Sequence, residues 1–266
     1  MTKQLKIDYA SDIHMGFWVD PNPSILKWEK RTKEFAKQLL DTITDKGDVL
    51  VLAGDFGESN MQNIWFLEEC GRHYKHVIAT VGNHDYYLLT ATQKKKYLNS
   101  LNRIQEMIDH FNGHETIAFV RNQTINIDGF IFGVTPLWYT LTSEASRYLY
   151  RTTSNDSQYI LSGNYDNWRP MHDEDMEYYR SLAHVDCMVT HVPPTHPTKN
   201  NYPYSEFYTT SVEELKAPHW ICGHQHVCTE FEKAGTIFHM NPIGYDGELY
   251  DRNHNKPKLK SFILIK

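Results

Sequence analysis

Short apolar runs recur along this chain, and five of them stop at a cluster of aspartate, histidine or asparagine. A run that is apolar at every position needs cover on both faces, which an antiparallel sheet open to water does not supply. Residues 48–53 (DVLVLA) and 76–81 (HVIATV) come close to this character, and residues 5–11 form a short β-prone segment before them. Between them lie longer stretches with helical spacing. Residues 27–46 place Trp28, Phe35, Leu39, Leu40 and Ile43 near one face, and residues 62–73 also have a helical pattern. Residues 94–111 carry the stripe Leu98, Leu101, Ile104, Met107 and Ile108. The order β-α-β-α-β-α predicts a layered α/β fold.

After Thr116 the rhythm changes to short strands, predicted at residues 117–120, 124–127 and 130–134, with Asp128-Gly129 as a hairpin turn. Further strands are expected at 185–190 and 219–222, a meander at 227–231 and 235–240, and a last strand at 260–265. No internal repeat, low-complexity tract or linker-like stretch divides the sequence, so the expectation is one domain over residues 1–266. Residues 136–170 are rich in Tyr, Trp, Arg, Ser and Asn and lack apolar periodicity. They read as an irregular insert, either a lid or binding loop or a surface excursion.

The polar clusters carry the chemistry. Asp12 and His14 (S-D-I-H) follow the first strand, Gly54-Asp55 the second, and Gly82-Asn83-His84-Asp85 the third. His191 (T-H-V-P-P) and Gly223-His224-Gln225-His226 follow two later strands. In layered α/β folds the C-terminal strand ends gather where ligands bind. Oxygen and imidazole donors without thiolates suit borderline divalent ions such as Mn²⁺, Fe²⁺ or Zn²⁺. Taken singly, each residue has a structural reading: a satisfied core histidine, a capping aspartate, a Gly-Asn turn. Five clusters at five strand ends do not share that explanation.

The ordered blocks DxH, GD, GNHD, a lone His and GHxH resemble the calcineurin-like metallophosphoesterase superfamily, over Asp12 to His226. The resemblance implies a four-layer α/β/β/α sandwich of two mixed β-sheets flanked by helices. It also implies two divalent metal ions, manganese first and iron or zinc as alternatives, activating a water for in-line attack at phosphorus. By position, Asp12, His14 and His226 would hold the first ion, and Asn83, His191 and His224 the second, with Asp55 bridging. His84, not a ligand in the family, would protonate the leaving oxygen or stabilise charge on it. Glu58, three positions after the bridging aspartate, would orient His84. Asp85 joins them as a candidate, with bracing of the loop its favoured role.

Departures from the pattern narrow the activity. The phosphoprotein phosphatase branch usually reads GDxVDRG and GNHE, whereas Asp55 is followed here by Phe56-Gly57-Glu58-Ser59 and His84 by Asp85. The phosphate-gripping arginine of that branch is missing from its place, and SDIHMG with GNHD is closer to phosphodiesterase and nuclease branches. A phosphodiesterase is therefore favoured over a phosphatase. Substrate contacts are expected from the insert and from residues 195–208. Candidates there are Arg147, Arg151 and Arg169 for phosphate and Tyr202 or Tyr204 for stacking on a base, each with surface or packing roles as the alternative.

The net charge of −6 argues against a basic nucleic-acid platform, leaving nucleic acid only as a substrate at the metal site and a nuclease as the alternative reading. An inactive scaffold would be expected to have lost ligand histidines, and here each position is filled. Cys70, Cys187, Cys222 and Cys228 form no CxxC pair and read as free buried thiols. No basic flank followed by a long apolar run precedes the first strand, and no stretch of 18 apolar residues occurs, so a cytoplasmic protein without membrane insertion is expected.

Overall fold

The computed structural model describes residues 2–162, 168–195, 205–248 and 257–266. The doubly apolar runs find their cover in two sheets packed face to face. The first contains β1 (Gln4–Ala10), β2 (Val49–Ala53), β3 (His76–Thr80) and β4 (Ile117–Phe119), all parallel, with β11 (Lys260–Ile265) antiparallel on the β1 edge. The second has the order β5-β6-β7-β8-β10-β9, built from β5 (Gln123–Ile127), β6 (Phe130–Val134), β7 (Cys187–Val189), β8 (His219–Cys222), β9 (Thr229–Lys233) and β10 (Thr236–Met240). Its four inner strands run parallel and its two edges antiparallel. The turn between β5 and β6 has positive φ at both Asp128 and Gly129, as a tight hairpin requires.

Side chains alternate between layers with the two-residue period of a strand. Ile7, Tyr9, Val49, Val51 and Ile78 meet Phe130, Phe132, Val134, Val189 and Ile221 between the sheets. Their neighbours Leu50, Leu52, Val77 and Ala79 point the other way, into a core with α1 (Ile25–Leu40), α2 (Asn60–Gly71) and α4 (Ser100–Phe111). On the far side, Met188, Trp220, Cys222 and Phe238 pack against Met176 and Tyr179 of α7 (Trp168–Ser181). The result is the four-layer α/β/β/α sandwich. Truncating a fully buried residue such as Leu50 to alanine costs about 2–5 kcal/mol in a core of this kind. The four cysteines carry no disulfide, and only Cys228 is less than fully buried. Among the described residues no helix is long and apolar enough to cross a membrane.

Two expectations need correction. Residues 94–111 are not one helix: α3 (Ala91–Tyr97) ends at Leu98, which has a left-handed φ of 67°, and α4 restarts with Asn99 as its N-cap, accepting from the Asn102 N–H. The restart rotates the stripe, leaving Leu98 and Leu101 exposed and burying Ser100 and Arg103 instead. Residues 136–170 are also more regular than expected. They hold α5 (Glu144–Thr153), α6 (Asn155–Tyr159) and the start of α7. Helix α5 buries only Ser146 and Tyr150, too few positions for a visible period. Pro170 lies in the first turn of α7, where its missing N–H costs nothing.

Candidate metal centre and active-site cleft

The strands β1, β2 and β3 are parallel, as are β7 and β8, so the loops leaving them emerge at common edges. These loops are then laced together. Asp12 N–H donates to the Gly54 carbonyl, His14 N–H to that of Asp55, and Gly223 N–H to that of His191. The chain bends sharply to do this. Asp12, His14, Asp55, His224 and His226 all have positive φ between 46° and 67°, half of the ten non-glycine residues that do so among those described. Such backbone is unfavourable for side-chain-bearing residues and concentrates at functional sites.

Glycine is required where the loops press on the carboxylates. A Cβ on Gly82 would lie 2.2 Å from Asp55 Oδ1 and 2.6 Å from its amide nitrogen, and one on Gly223 would lie 2.4 Å from Asp12 Oδ2.

The hydrogen bonds of three imidazoles set their tautomers, by inference from their partners. His191 Nδ1 donates to the Ala53 carbonyl at 2.9 Å, His224 Nε2 to the Phe207 carbonyl at 2.7 Å, and His226 Nδ1 to Glu248 at 2.8 Å. In each ring the other nitrogen is left with a lone pair facing the centre. His226 Nε2 lies 3.0 Å from His14 Nε2 and 3.5 Å from Asp12 Oδ1. His191 Nε2 lies 3.4 Å from Asp55 Oδ2 and 3.0 Å from Asn83 Oδ1, which is 3.1 Å from His224 Nδ1. Asp55 Oδ2 is also 3.6 Å from His14 Nε2. Asp12, His14 and His226 offer ligand atoms within 4.8 Å of one another, as do Asp12, Asp55 and His191.

Acceptor atoms this close repel unless a cation lies among them. Asp12 and Asp55 are almost wholly buried, and their ion-pair partners among the described residues are all histidines. Buried carboxylates need compensating charge. The same demand acts on the histidines. Burial opposes protonation of His191, yet the Asp55 carboxylate prevails and pushes its pKa up to about 10, so that in the protein alone a proton on Nε2 answers the demand that a cation would otherwise meet there. His14 is held well below the ordinary histidine value, chiefly by burial, and it also faces His84, His226 and His191. This donor set fits divalent ions.

The remaining predicted residues take distinct places. His84 Nδ1 lies 2.9 Å from Glu58 Oε1, and the His84 backbone N–H donates to Asp55 Oδ1 at 2.8 Å. Against the effect of burial, Asp55 and then Glu58 push the His84 pKa up to about 9. Asp85 sits behind the site. Its two oxygens accept from the backbone N–H groups of Asp55, Phe56, Gly57 and Gly82, tying the second loop to the third.

Several contributors left no signal in the sequence. Arg103, fully buried on α4, donates to the carbonyls of Gly57, His84 and Tyr87 and to Asn60 Oδ1, clamping the loops that carry Glu58 and His84. Glu248 orients His226. From the insert, Asp156 accepts from Asn83 Nδ2 at 2.9 Å and from the hydroxyls of Tyr87 and Tyr139.

A cavity of about 310 Å³ opens on Asp55, Asn83, His84, His224 and His226. The insert borders it through Thr153 to Asp156, and Tyr87, Phe207, Tyr208 and Tyr245 supply aromatic walls. Its described lining contains no lysine or arginine. The three candidate arginines lie outside this lining: Arg147 donates to the carbonyls of Leu141 and Thr142, Arg169 stacks on Trp168, and Arg151 is exposed. Tyr202 and Tyr204 lie outside the described residues.

A family model described as calcineurin-like phosphoesterase matches residues 5–228. A search of curated proteins finds no match. Among solved structures, the phosphopantetheinyl hydrolase of Mycobacterium tuberculosis superposes with a TM-score of 0.63 at 17% identity, covering 97% of this chain and 95% of that one. Another structure superposes at 0.50 and 12% identity over 98% of this chain and 99% of its own. An archaeal phosphodiesterase gives 0.37 at 13% identity over 98% and 100%, too loose a superposition to argue from.

Proposed function

We propose a substrate class for a chain that belongs to the calcineurin-like phosphoesterase family, and is thereby a metal-dependent hydrolase of phosphate esters: it cleaves phosphodiesters whose ester groups are uncharged. Asp12, His14 and His226 would hold one divalent ion and Asn83, His191 and His224 a second, with Asp55 shared. Manganese is the first choice and iron or zinc the alternatives. When bound, the ions supply an activated water and neutralise charge developing on the phosphoryl oxygens.

The observation that carries the diester reading is the composition of the cavity wall. A monoester brings two negative charges and a diester one. Apart from the ions, the described wall offers only the histidines as positive groups, and it carries the carboxylates of Asp55 and Asp156. A single charge is the easier fit. The aromatic rings and the hydroxyls of Thr153 and Ser154 suit a neutral, polar ester group. His84, held by Glu58 and facing the cavity, is placed to give its Nε2 proton to the departing oxygen.

Purified protein with Mn²⁺ is expected to hydrolyse bis-p-nitrophenyl phosphate with a kcat/KM at least tenfold above that for p-nitrophenyl phosphate. Preference for the monoester would refute the diester reading, and silence on both across Mn²⁺, Fe²⁺ and Zn²⁺ would refute the activity. A wider panel of cyclic nucleotides, nucleotide diphosphate esters, phosphopantetheinyl esters, phosphoproteins and oligonucleotides then locates the natural ester. Processive cleavage of oligonucleotides would favour a nuclease instead.

A further inference from the structure

Resting on the two-ion reading above, we infer that Asp156, supplied by the 136–170 insert, is a positioning residue that fixes the amide of Asn83 so that its oxygen faces the second ion. Asp156 is 5% exposed and sits in α6, where the Ser154 hydroxyl accepts from its backbone N–H. Its Oδ1 accepts from Asn83 Nδ2 at 2.9 Å and from the Tyr87 hydroxyl, while Oδ2 accepts from the Tyr139 hydroxyl.

An ionised carboxylate accepts and cannot donate. The nitrogen of the Asn83 amide must therefore turn towards Asp156, and the oxygen must turn away from it, towards His191 Nε2 and His224 Nδ1 at 3.0 and 3.1 Å. Without the carboxylate, the amide gains a second orientation that presents an NH₂ group where an ion needs a lone pair. Tyr87 and Tyr139 hold the carboxylate in turn, and the Tyr139 ring stacks on His224 at 6.0 Å between centroids. The insert thus reaches the half of the centre formed by Asn83, His191 and His224 through a direct hydrogen bond to the Asn83 amide. A carboxylate behind the amide also increases the negative character of its oxygen, as partners behind a ligand commonly do.

Calorimetric titration of metal-stripped protein with Mn²⁺ tests this, with circular dichroism reporting the fold. Wild type is expected to show two binding events. Asp156→Asn should weaken one event about 10–100-fold, the usual effect of losing such a partner, and leave the other unchanged. In an Asn83→Ala background, Asp156→Asn should cause no further loss.

A second route holds if Asp156→Asn alone folds poorly. Asn83→Asp sets two carboxylates face to face and should lose the second event. Combining it with Asp156→Asn restores a donor opposite an acceptor and should recover that event. Wild-type affinity for both events in folded Asp156→Asn, equal weakening of both, or no recovery in the exchanged pair would each overturn the role. Fewer than two events in wild type would instead sink the two-ion reading beneath it.

Discussion

Substituting Gly82 with alanine probes the geometry of Asp55 without touching a charged or polar group. The added Cβ would lie 2.2 Å from Asp55 Oδ1 and 2.6 Å from the Asp55 amide nitrogen. Ordinary contact would need about 1 Å more room. Gly82 is not among the glycines with positive φ, so its own backbone can accept alanine. The strain falls on Asp55. Rotating the carboxylate does not relieve the clash with the backbone nitrogen, so the loop after β2 must move. That loop is held by Asp85, which accepts from both Asp55 and Gly82. Overpacking of this kind costs about 1–3 kcal/mol of stability, leaving a folded protein. A displacement of about 1 Å at a reacting group lowers rate about 10²-fold. Denaturant unfolding, metal analysis and hydrolysis of bis-p-nitrophenyl phosphate should therefore show modest destabilisation, reduced metal content and at least ~10²-fold lower kcat/KM. Near-normal activity and metal content in Gly82→Ala would refute the role given to the close approach at Asp55.

His84→Ala should lower kcat by about 10²–10⁴-fold on an alkyl diester, whose leaving oxygen needs a proton, and less on a p-nitrophenyl diester; equal losses on both would argue against proton donation. Arg103→Met removes four hydrogen bonds from a buried guanidinium; the Gly57 and His84 carbonyls keep Asn63 Nδ2 and the Tyr87 N–H as donors, but the clamp between the loops is lost, so unfolding free energy should fall by about 3 kcal/mol; a loss below about 1 kcal/mol would show that the clamp is not structural. His239, buried against Phe262 and His219, has its pKa pulled down to about 4, chiefly by burial. The unfolded chain takes up this proton first, so stability should fall as pH drops from about 6.5 to about 4, by about 3 kcal/mol from this group. His239→Gln should remove that part of the slope in urea titrations across the window, and an unchanged slope would refute the assignment.

What the sequence revealed depended on how local each signal was. Strands β2 and β3 were legible because β2 is apolar throughout and β3 is apolar between His76 and Thr80, and both faces are indeed covered. The site blocks were legible because each candidate ligand lies shortly after a strand, and the structure brings Asp12, His14, Asp55, Asn83, His191, His224 and His226 together. The break at Leu98 escaped because helical spacing continues through it, while the Asn99 cap that restarts α4 depends on one side chain. Asp156, Glu248 and Arg103 escaped for a different reason. Each is defined by partners distant in the chain: Asp156 by Asn83, Glu248 by His226, Arg103 by Gly57 and His84. Arg103 even occupies a helix position that composition assigns to solvent. The insert hid its role because α5 and α6 are short and bury few apolar side chains.

Anomalous diffraction from crystals soaked in Mn²⁺ would test the centre most directly. Two peaks should appear beside Asp55, one contacting Asp12, His14 and His226 and the other Asn83, His191 and His224. A single peak, or peaks elsewhere on the protein, would contradict the shared-carboxylate site.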